Sequence, residues 1–258
     1  MSDQGVQVVV VAANDADTRV AHELATRLST PLAARAGEYP DAVELVVGHR
    51  GLALRRVGGP VVTARTDLLQ TPRAGGADLL HRAVLAGATD VIDATAGLGA
   101  DAFHLAARGL EVTMIERSGV FASLLADALE RARAGEYGPS AAAAAGRLRL
   151  HVADAREVLP TLQAGVVLLD PMFPASASTA APKKGMNLFR ELLPGAAAFE
   201  EEHAQLLMAA RRSATRRVVV KRALRSPHLA GVAPSGSLSG RTVRFDLYAP
   251  LEHRGSRT

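Results

Sequence analysis

Val91-Ile92-Asp93-Ala94-Thr95-Ala96-Gly97-Leu98-Gly99-Ala100-Asp101-Ala102 runs from an apolar strand through a turn of small residues into a helix, which continues over Phe103, Leu105 and Ala106 and stops at Gly109. The next stretch, Leu110 to Glu116, alternates and then turns apolar, and its acidic last residue stands 19 positions beyond Gly97 (116 − 97). Strand, glycine turn, helix, strand and terminal acid in this order form a nucleoside clamp. Gly97 and Gly99 let the backbone approach the ligand, and an acid about 20 residues on accepts hydrogen bonds from ribose hydroxyls. A plain βαβ connection has the same order, and the glycine turn alone does not separate the two.

The chemistry around the turn narrows the ligand. A pyrophosphate needs a helix N-terminus free to receive negative charge, and Asp101 in the first helical turn would repel it. S-adenosylmethionine carries a sulfonium cation and no phosphate, so Asp93 and Asp101 beside the turn are compatible with it. Asp101 is equally read as a residue complementing the helix dipole. A third strand, Arg147 to Val152, leads to Ala153-Asp154-Ala155, where Asp154 either accepts from an adenine amine or caps the next helix, or does both.

The apolar run Val166-Val167-Leu168-Leu169 ends at Asp170-Pro171-Met172-Phe173-Pro174. A carboxylate, a bent backbone and an aromatic face together suit a flat base held by its amino group. The Asp170 side chain and a neighbouring carbonyl can accept the two amine hydrogens, while Phe173 offers a stacking surface. Standing alone, such a segment is an ordinary strand-to-turn junction. Taken with the others, Asp93, Glu116, Asp154 and Asp170 are expected to line one edge of a parallel sheet, where open α/β folds bind ligands.

The chain has 258 residues, of which 48% are hydrophobic, enough for one substantial α/β core and a small extra unit. Residues 1–60 read as a small N-terminal α/β subdomain, with a strand over Val6–Ala12, a helix over Asp15–Leu28 and a hairpin within Glu44–Val57; residues 61–258 read as the larger domain. The absence of cysteine excludes disulfides, thiolate zinc sites and cysteine nucleophiles and suits a reducing cytoplasm. The N-terminus lacks a basic leader and no apolar run reaches membrane-spanning length, which points away from secretion and membrane insertion. The eight histidines show no metal-ligand spacing, and no metal is expected.

Charge is unevenly spread. Residues 183–258 hold 14 Lys or Arg against 6 acids (+8), whereas residues 1–182 hold 16 against 20 (−4). Lys183, Lys184, Arg190, Arg211, Arg212, Arg216, Arg217, Lys221, Arg222 and Arg225 all follow the Asp-Pro corner, so a nucleic acid is expected beside it. With nine aromatics in the chain, recognition should rest on one flipped base plus backbone charge rather than on a stacking platform. The alanine run Ala141–Ala145 reads as a surface excursion, and Ser226–Gly240 as a loop between the strands Val218–Arg222 and Thr242–Ala249.

Four segments together resemble the RsmJ family of 16S ribosomal RNA guanine-N2 methyltransferases: Asp93 to Asp101, Met114 to Arg117, Leu169 to Lys184, and Val218 to Arg222 with Arg244-Phe245-Asp246 beyond. The resemblance implies a Rossmann-like, seven-stranded fold that uses S-adenosylmethionine to methylate a guanosine near the 3′ end of small-subunit rRNA. Its cofactor contacts would fall on Ala100, Asp101, Glu116, Arg117, Asp154, Ala155 and Asp170. Where Ala100 and the Asp154-Ala155 pair stand, the family usually shows an arginine and two serines. Asp170, Pro171 and Phe173 are the expected catalytic group, and Lys183, Lys184, Lys221 and Arg222 the expected RNA contacts. Amine methylation of DNA or protein is the nearest competing reading. A non-catalytic RNA-binding ribosome assembly factor stands apart from both, and a nicotinamide-dependent reductase is disfavoured by Asp101. The oligomeric state is not legible.

Overall fold

A computed structural model of the chain describes residues 6–64, 76–84, 87–171, 192 and 199–251. Two sheets organise it. The first is built from β1 (Val8–Ala12), β2 (Leu32–Ala33), β3 (Val43–Gly48), β4 (Gly51–Arg55) and β5 (Val61–Val62), in the order β2-β1-β3-β4-β5, with helix α1 (Thr18–Leu28) against it. Parallel pairing of β1 with β2 and β3 gives way to an antiparallel β3–β4 hairpin.

The second sheet follows α2 (Gly76–Val84). Its elements in chain order are β6 (Asp90–Asp93), α3 (Ala100–Ala106), β7 (Glu111–Glu116), α4 (Gly119–Arg133), α5 (Pro139–Ala145), β8 (Leu148–Val152), α6 (Ala155–Val158), β9 (Ala164–Leu169), α7 (Phe199–Ser213), β10 (Ala214–Ala223), β11 (Gly236–Ser239) and β12 (Val243–Tyr248). Spatial order is β11-β12-β10-β9-β6-β7-β8. The five strands from β10 to β8 are parallel, and β12 enters antiparallel to both β10 and β11. From β6 the chain moves outward through β7 to β8, then returns to lay β9 on the other side of β6. That reversal opens a crevice beyond the strand ends of β6 and β9.

The apolar run in β9 shows why this sheet is covered on both sides. Side chains alternate along a strand; Val166 and Leu168 join one buried cluster, while Val167 and Leu169 join the other, and all four are fully buried. Leu124, Leu125 and Leu129 of α4 belong to the first cluster, Leu206, Leu207 and Ala210 of α7 to the second. Each such fully buried side chain contributes roughly 1.5–3 kcal/mol. The first cluster also takes in Leu45 and Leu54 of the N-terminal sheet, and the Leu52 amide donates to the Asp127 carboxylate on α4 at 3.0 Å. Helix α4 thus packs against both sheets.

Two expectations are corrected. The alanine run is helix α5, entered through Pro139, and it buries Ala141, Ala144 and Ala145 in the core shared with α4. Small side chains let the two helices approach, which is a packing role rather than a surface excursion. The Ser- and Gly-rich stretch before β12 contains β11, an edge strand that is mostly exposed and pairs with β12 alone. With no apolar alternation to mark it, β11 depends on the ladder supplied by β12.

Candidate active site at the switch point

Four carboxylates close the ends of four adjacent parallel strands. Asp93 is the last residue of β6 and Glu116 of β7, Asp170 follows β9 directly, and Asp154 stands two residues past β8. One cleft is lined by Thr95, Gly97, Glu116, Arg117, Asp154, Ala155, Asp170 and Pro171, with Ile115, Phe121 and Leu206 among its apolar walls. The glycine turn and the Asp-Pro corner therefore share a cavity. The Thr95 hydroxyl ties them together, accepting from the Asp170 amide at 2.6 Å.

The turn itself is held by acids. Glu116 accepts from the Gly97 amide at 2.8 Å and from the Ser118 amide at 2.7 Å, one on each carboxylate oxygen. Burial raises its pKa, and the Ser118 and Gly97 amides oppose the rise. Each oxygen keeps a second lone pair for a ligand hydroxyl. Gly97 and Gly99 both adopt positive φ, +54° and +79°. They differ in surroundings: a Cβ on Gly99 would lie 2.7 Å from Leu125 Cδ1, whereas one on Gly97 would meet no protein atom within 4 Å. Gly99 makes room for the core; Gly97 faces open space at the cleft wall.

Asp93 lies beneath the turn, 2% exposed, and accepts from the Thr95 amide. Burial, reinforced by the nearby Asp101 charge, pushes its pKa up to about 8, so it is mainly protonated at neutral pH. Asp154 caps α6 by accepting from the Arg156 amide, and the Arg156 guanidinium clamps the same carboxylate at 2.6 Å. That pairing lowers the Asp154 pKa. Asp101 and Ala100 open α3 but do not line the cleft with the others. The Asp101 carboxylate instead pairs with Lys221 at 2.6 Å, and the same ammonium reaches Asp170 at 2.9 Å.

Phe173, Lys183 and Lys184 lie outside the described residues. The structure places the other two expected RNA contacts in ion pairs and packing: Lys221 bridges two carboxylates, and Arg222 is 2% exposed and donates to the Pro227 carbonyl at 3.0 Å. Both are turned inward because β10 is a central strand whose faces are covered. The placement of the other cations is also corrected. Helix α7 starts at the cleft with Glu202 and His203 and ends with Arg211 and Arg212. Arg217 is paired with Val166, four residues short of Asp170, or about 13 Å along the strand. Arg211, Arg212, Arg216 and Arg217 thus fall toward the opposite edge of the sheet, while Arg225 is exposed beyond the cleft end of β10.

Comparison with known proteins bears on this geometry. The family model of SAM-dependent methyltransferases, SAM_MT, matches residues 61–250. Ribosomal RNA small subunit methyltransferase J of Alkalilimnicola ehrlichii is 43% identical over 248 residues, covering 88% of this chain and 90% of the relative. The protein of the same name from Halorhodospira halophila is 45% identical over 207 residues, covering 75% and 74%. A crystal structure of a SAM-dependent methyltransferase from Neisseria gonorrhoeae superposes with a TM-score of 0.72 at 31% identity, covering 98% of this chain and 99% of that one. The chain belongs to the RsmJ family. It is an S-adenosylmethionine-dependent methyltransferase of the Rossmann-like, seven-stranded class.

The cleft fits the cofactor of the RsmJ family on its own chemistry. Glu116 offers acceptors at the end of β7, the space beside Gly97 admits a ligand against the backbone, and the acids around the turn suit a cation. Several lining residues went unnoticed in the sequence: Thr95, Phe121, Arg156, Glu202, His203 and Leu206. Glu202 reaches from α7 to Arg117 at 3.0 Å and to Arg156 at 3.5 Å, linking the helix to the ends of β7 and β8. His203 is buried beside them; burial and the nearby Arg222 charge depress its pKa to about 4, leaving a neutral imidazole at the cleft wall. The Glu200-Glu201-Glu202 run carried one signal, acids in the first turn of a helix, and that signal reports dipole complementation rather than a site. Among the described residues no cluster of three metal-ligating side chains occurs, and no helix is long and apolar enough to cross a membrane.

Proposed function

We propose that the cleft methylates the exocyclic N2 amine of a guanosine near the 3′ end of 16S rRNA, in the small ribosomal subunit. Sharing of one cleft by Gly97 and Asp170 carries this reading, since donor and acceptor must meet there. The relatives' name, ribosomal RNA small subunit methyltransferase J, supports the choice of substrate. A ribosomal substrate places the reaction in the cytoplasm.

S-adenosylmethionine supplies an electrophilic methyl group on a sulfonium. Glu116 would take the ribose hydroxyls, Gly97 would give the backbone approach, and Arg117, Asp154 and Ala155 would form the wall nearest the adenine. The amine lone pair of guanine is delocalised into the ring, so holding it in line at near-attack distance is the main service a protein can render. Asp170 provides it: its side chain is 44% exposed, open enough to meet an incoming base, and its backbone is fixed by Thr95. Asp170 would accept one amine hydrogen and draw density onto the nitrogen; the nitrogen–carbon bond would form as the carbon–sulfur bond breaks, with S-adenosylhomocysteine as the leaving group and the surplus amine proton passing to solvent. Pro171 bends the chain so that the corner faces the cleft, and Phe173 stacks on the base. Lys183 and Lys184 follow the corner in sequence and are assigned to phosphates, as is the exposed Arg225. The five-stranded N-terminal sheet with α1 forms an accessory unit packed on α4, outside the methyl-transfer chemistry.

Incubating the protein and tritiated S-adenosylmethionine with small subunits, naked rRNA, DNA and total protein tests the assignment. Label should enter small-subunit rRNA and digest to N2-methylguanosine. Label confined to DNA or protein, or recovered in another nucleoside, would overturn it.

A further inference from the structure

Lys221 joins the Asp-Pro corner to the helix that follows the glycine turn. In the parallel register of β9 and β10, Leu169 pairs with Val220, so the residues that follow them, Asp170 and Lys221, emerge side by side. The Lys221 ammonium lies 2.9 Å from Asp170 Oδ2 and 2.6 Å from Asp101 Oδ2, and Asp101 sits in the first turn of the helix that opens after the glycine turn. An ordinary surface lysine makes no such bridge between groups 69 residues apart (170 − 101) on different elements.

We propose that Lys221 is a positioning residue for methyl transfer: one ammonium anchors the cofactor-side Asp101 and the amine-side Asp170 to each other. The proposal rests on the reading of Asp170 as the group that holds the amine. Three consequences follow from the geometry. With Oδ2 occupied by Lys221, Asp170 presents Oδ1 to the base in one orientation. Together with the Thr95 hydroxyl on the Asp170 amide, Lys221 fixes the corner at both side chain and backbone. The ammonium also offsets charge on the two carboxylates it bridges, at the end of the strand and at the helix start.

Among the described residues, the charged and titratable groups that act on Asp170 are Lys221 and Arg222 from β10, Asp101 from α3 and Asp93 from β6, with His203 and Glu202 of α7 and Glu116 of β7 lining the same cleft. Desolvation at the base of the cleft raises the Asp170 pKa although one face of the side chain stays open, and Lys221 is the largest influence opposing the rise. Burial would lower the Lys221 pKa, but the Asp170 and Asp101 charges outweigh it and raise it, so this lysine stays protonated and is no base. Removing the ammonium therefore drives the Asp170 pKa higher. Because the amine is held by the ionised carboxylate, the acid limb of the turnover profile must move up with it.

Lys221→Met and Lys221→Arg are compared with wild type in three measurements. Calorimetry reads S-adenosylmethionine binding, methyl transfer to small subunits gives kcat from pH 5 to 9, and carbon-13 carboxyl spectra follow the Asp170 titration. The methionine variant should bind cofactor within about tenfold of wild type, lose about 10²-fold in kcat, and shift both the acid limb and the Asp170 titration upward by a pH unit or more. The arginine variant should bring the limb and the titration back toward wild type. A methionine variant with unmoved limb and titration would overturn the proposal. Should the methionine variant fail to fold, Lys221→Gln replaces it with the same expectation. If wild type itself fails to methylate small subunits, the substrate assignment has failed. The Asp170 titration still decides the role of Lys221 in that case, because it needs no substrate.

Discussion

The two ends of the parallel strands in the seven-stranded sheet gather different side chains. Asp93, Glu116, Asp154 and Asp170 mark the ends of the parallel strands, whereas Arg147, Arg211, Arg212, Arg216 and Arg217 lie toward their beginnings. A linear charge map merges Arg211, Arg212, Arg216 and Arg217 with Lys221 and Arg222 into one basic block following the Asp-Pro corner. Folding pulls the block apart, because α7 runs away from the cleft and β10 runs back to it. The difference teaches that charge density along the chain does not locate a nucleic-acid surface; the direction of each element decides which edge a residue reaches.

The most severe test of the acidic edge is Asp170→Asn. It keeps the shape and loses the full carboxylate charge, and it should lower turnover by about 10²–10³-fold with cofactor affinity nearly unchanged. Single-turnover methyl transfer beside calorimetry checks this, and an equal loss in both would move Asp170 from the amine to the cofactor.

Within the glycine turn a second contrast can be sharpened. Gly99→Ala should destabilise the fold by about 3 kcal/mol, combining left-handed backbone cost with the clash against Leu125. Gly97→Ala bears only the backbone cost, about 1 kcal/mol, but should weaken cofactor binding about tenfold or more because its methyl group enters the space assigned to the ligand. Denaturant melts and calorimetry on both variants separate the roles; identical behaviour would remove the distinction.

pH offers a third contrast between two groups at this edge. Asp93 has its folded pKa raised from 3.8 to about 8, so the folded state holds more protons than the unfolded state between these values. Its contribution to stability is present below about pH 4 and is lost as pH rises to about 8. His203 is depressed from 6.5 to about 4, so its contribution is present above about pH 6.5 and is lost as pH falls toward 4. Asp93→Asn keeps an acceptor for the Thr95 amide and mimics the neutral acid, and should raise the melting temperature at pH 8 relative to wild type. A lowered melting temperature there would mean that Asp93 is ionised in the fold.

The smallest effect belongs to the far edge. Arg212→Ala should leave kcat unchanged and alter the dependence of subunit binding on salt by no more than about one counterion, the contribution of a single phosphate contact. A large loss of kcat would place that edge in the reaction.

The acidic edge was legible because each of its acids closes a strand, buried and apolar in β6, β7 and β9 and alternating in β8, and a strand end is a local feature. Lys221 read as one more cation of a basic block, since its role depends on the register of β10 against β9, set by residues about 50 positions apart. His203 and Leu206 face the cleft through the docking of α7, which no periodicity announces, and β11 has no apolar alternation of its own. Arg222, counted as an RNA contact from charge alone, is a buried guanidinium whose donors serve the turn at Pro227.

A crystal structure with S-adenosylhomocysteine and a guanosine-containing fragment of small-subunit rRNA tests the account most directly. The ribose should sit on Glu116, the sulfur should lie beside Gly97, and the guanine amine should contact Asp170 on the line leading to that sulfur. A cofactor bound elsewhere, or a guanine whose amine points away from Asp170, would contradict it.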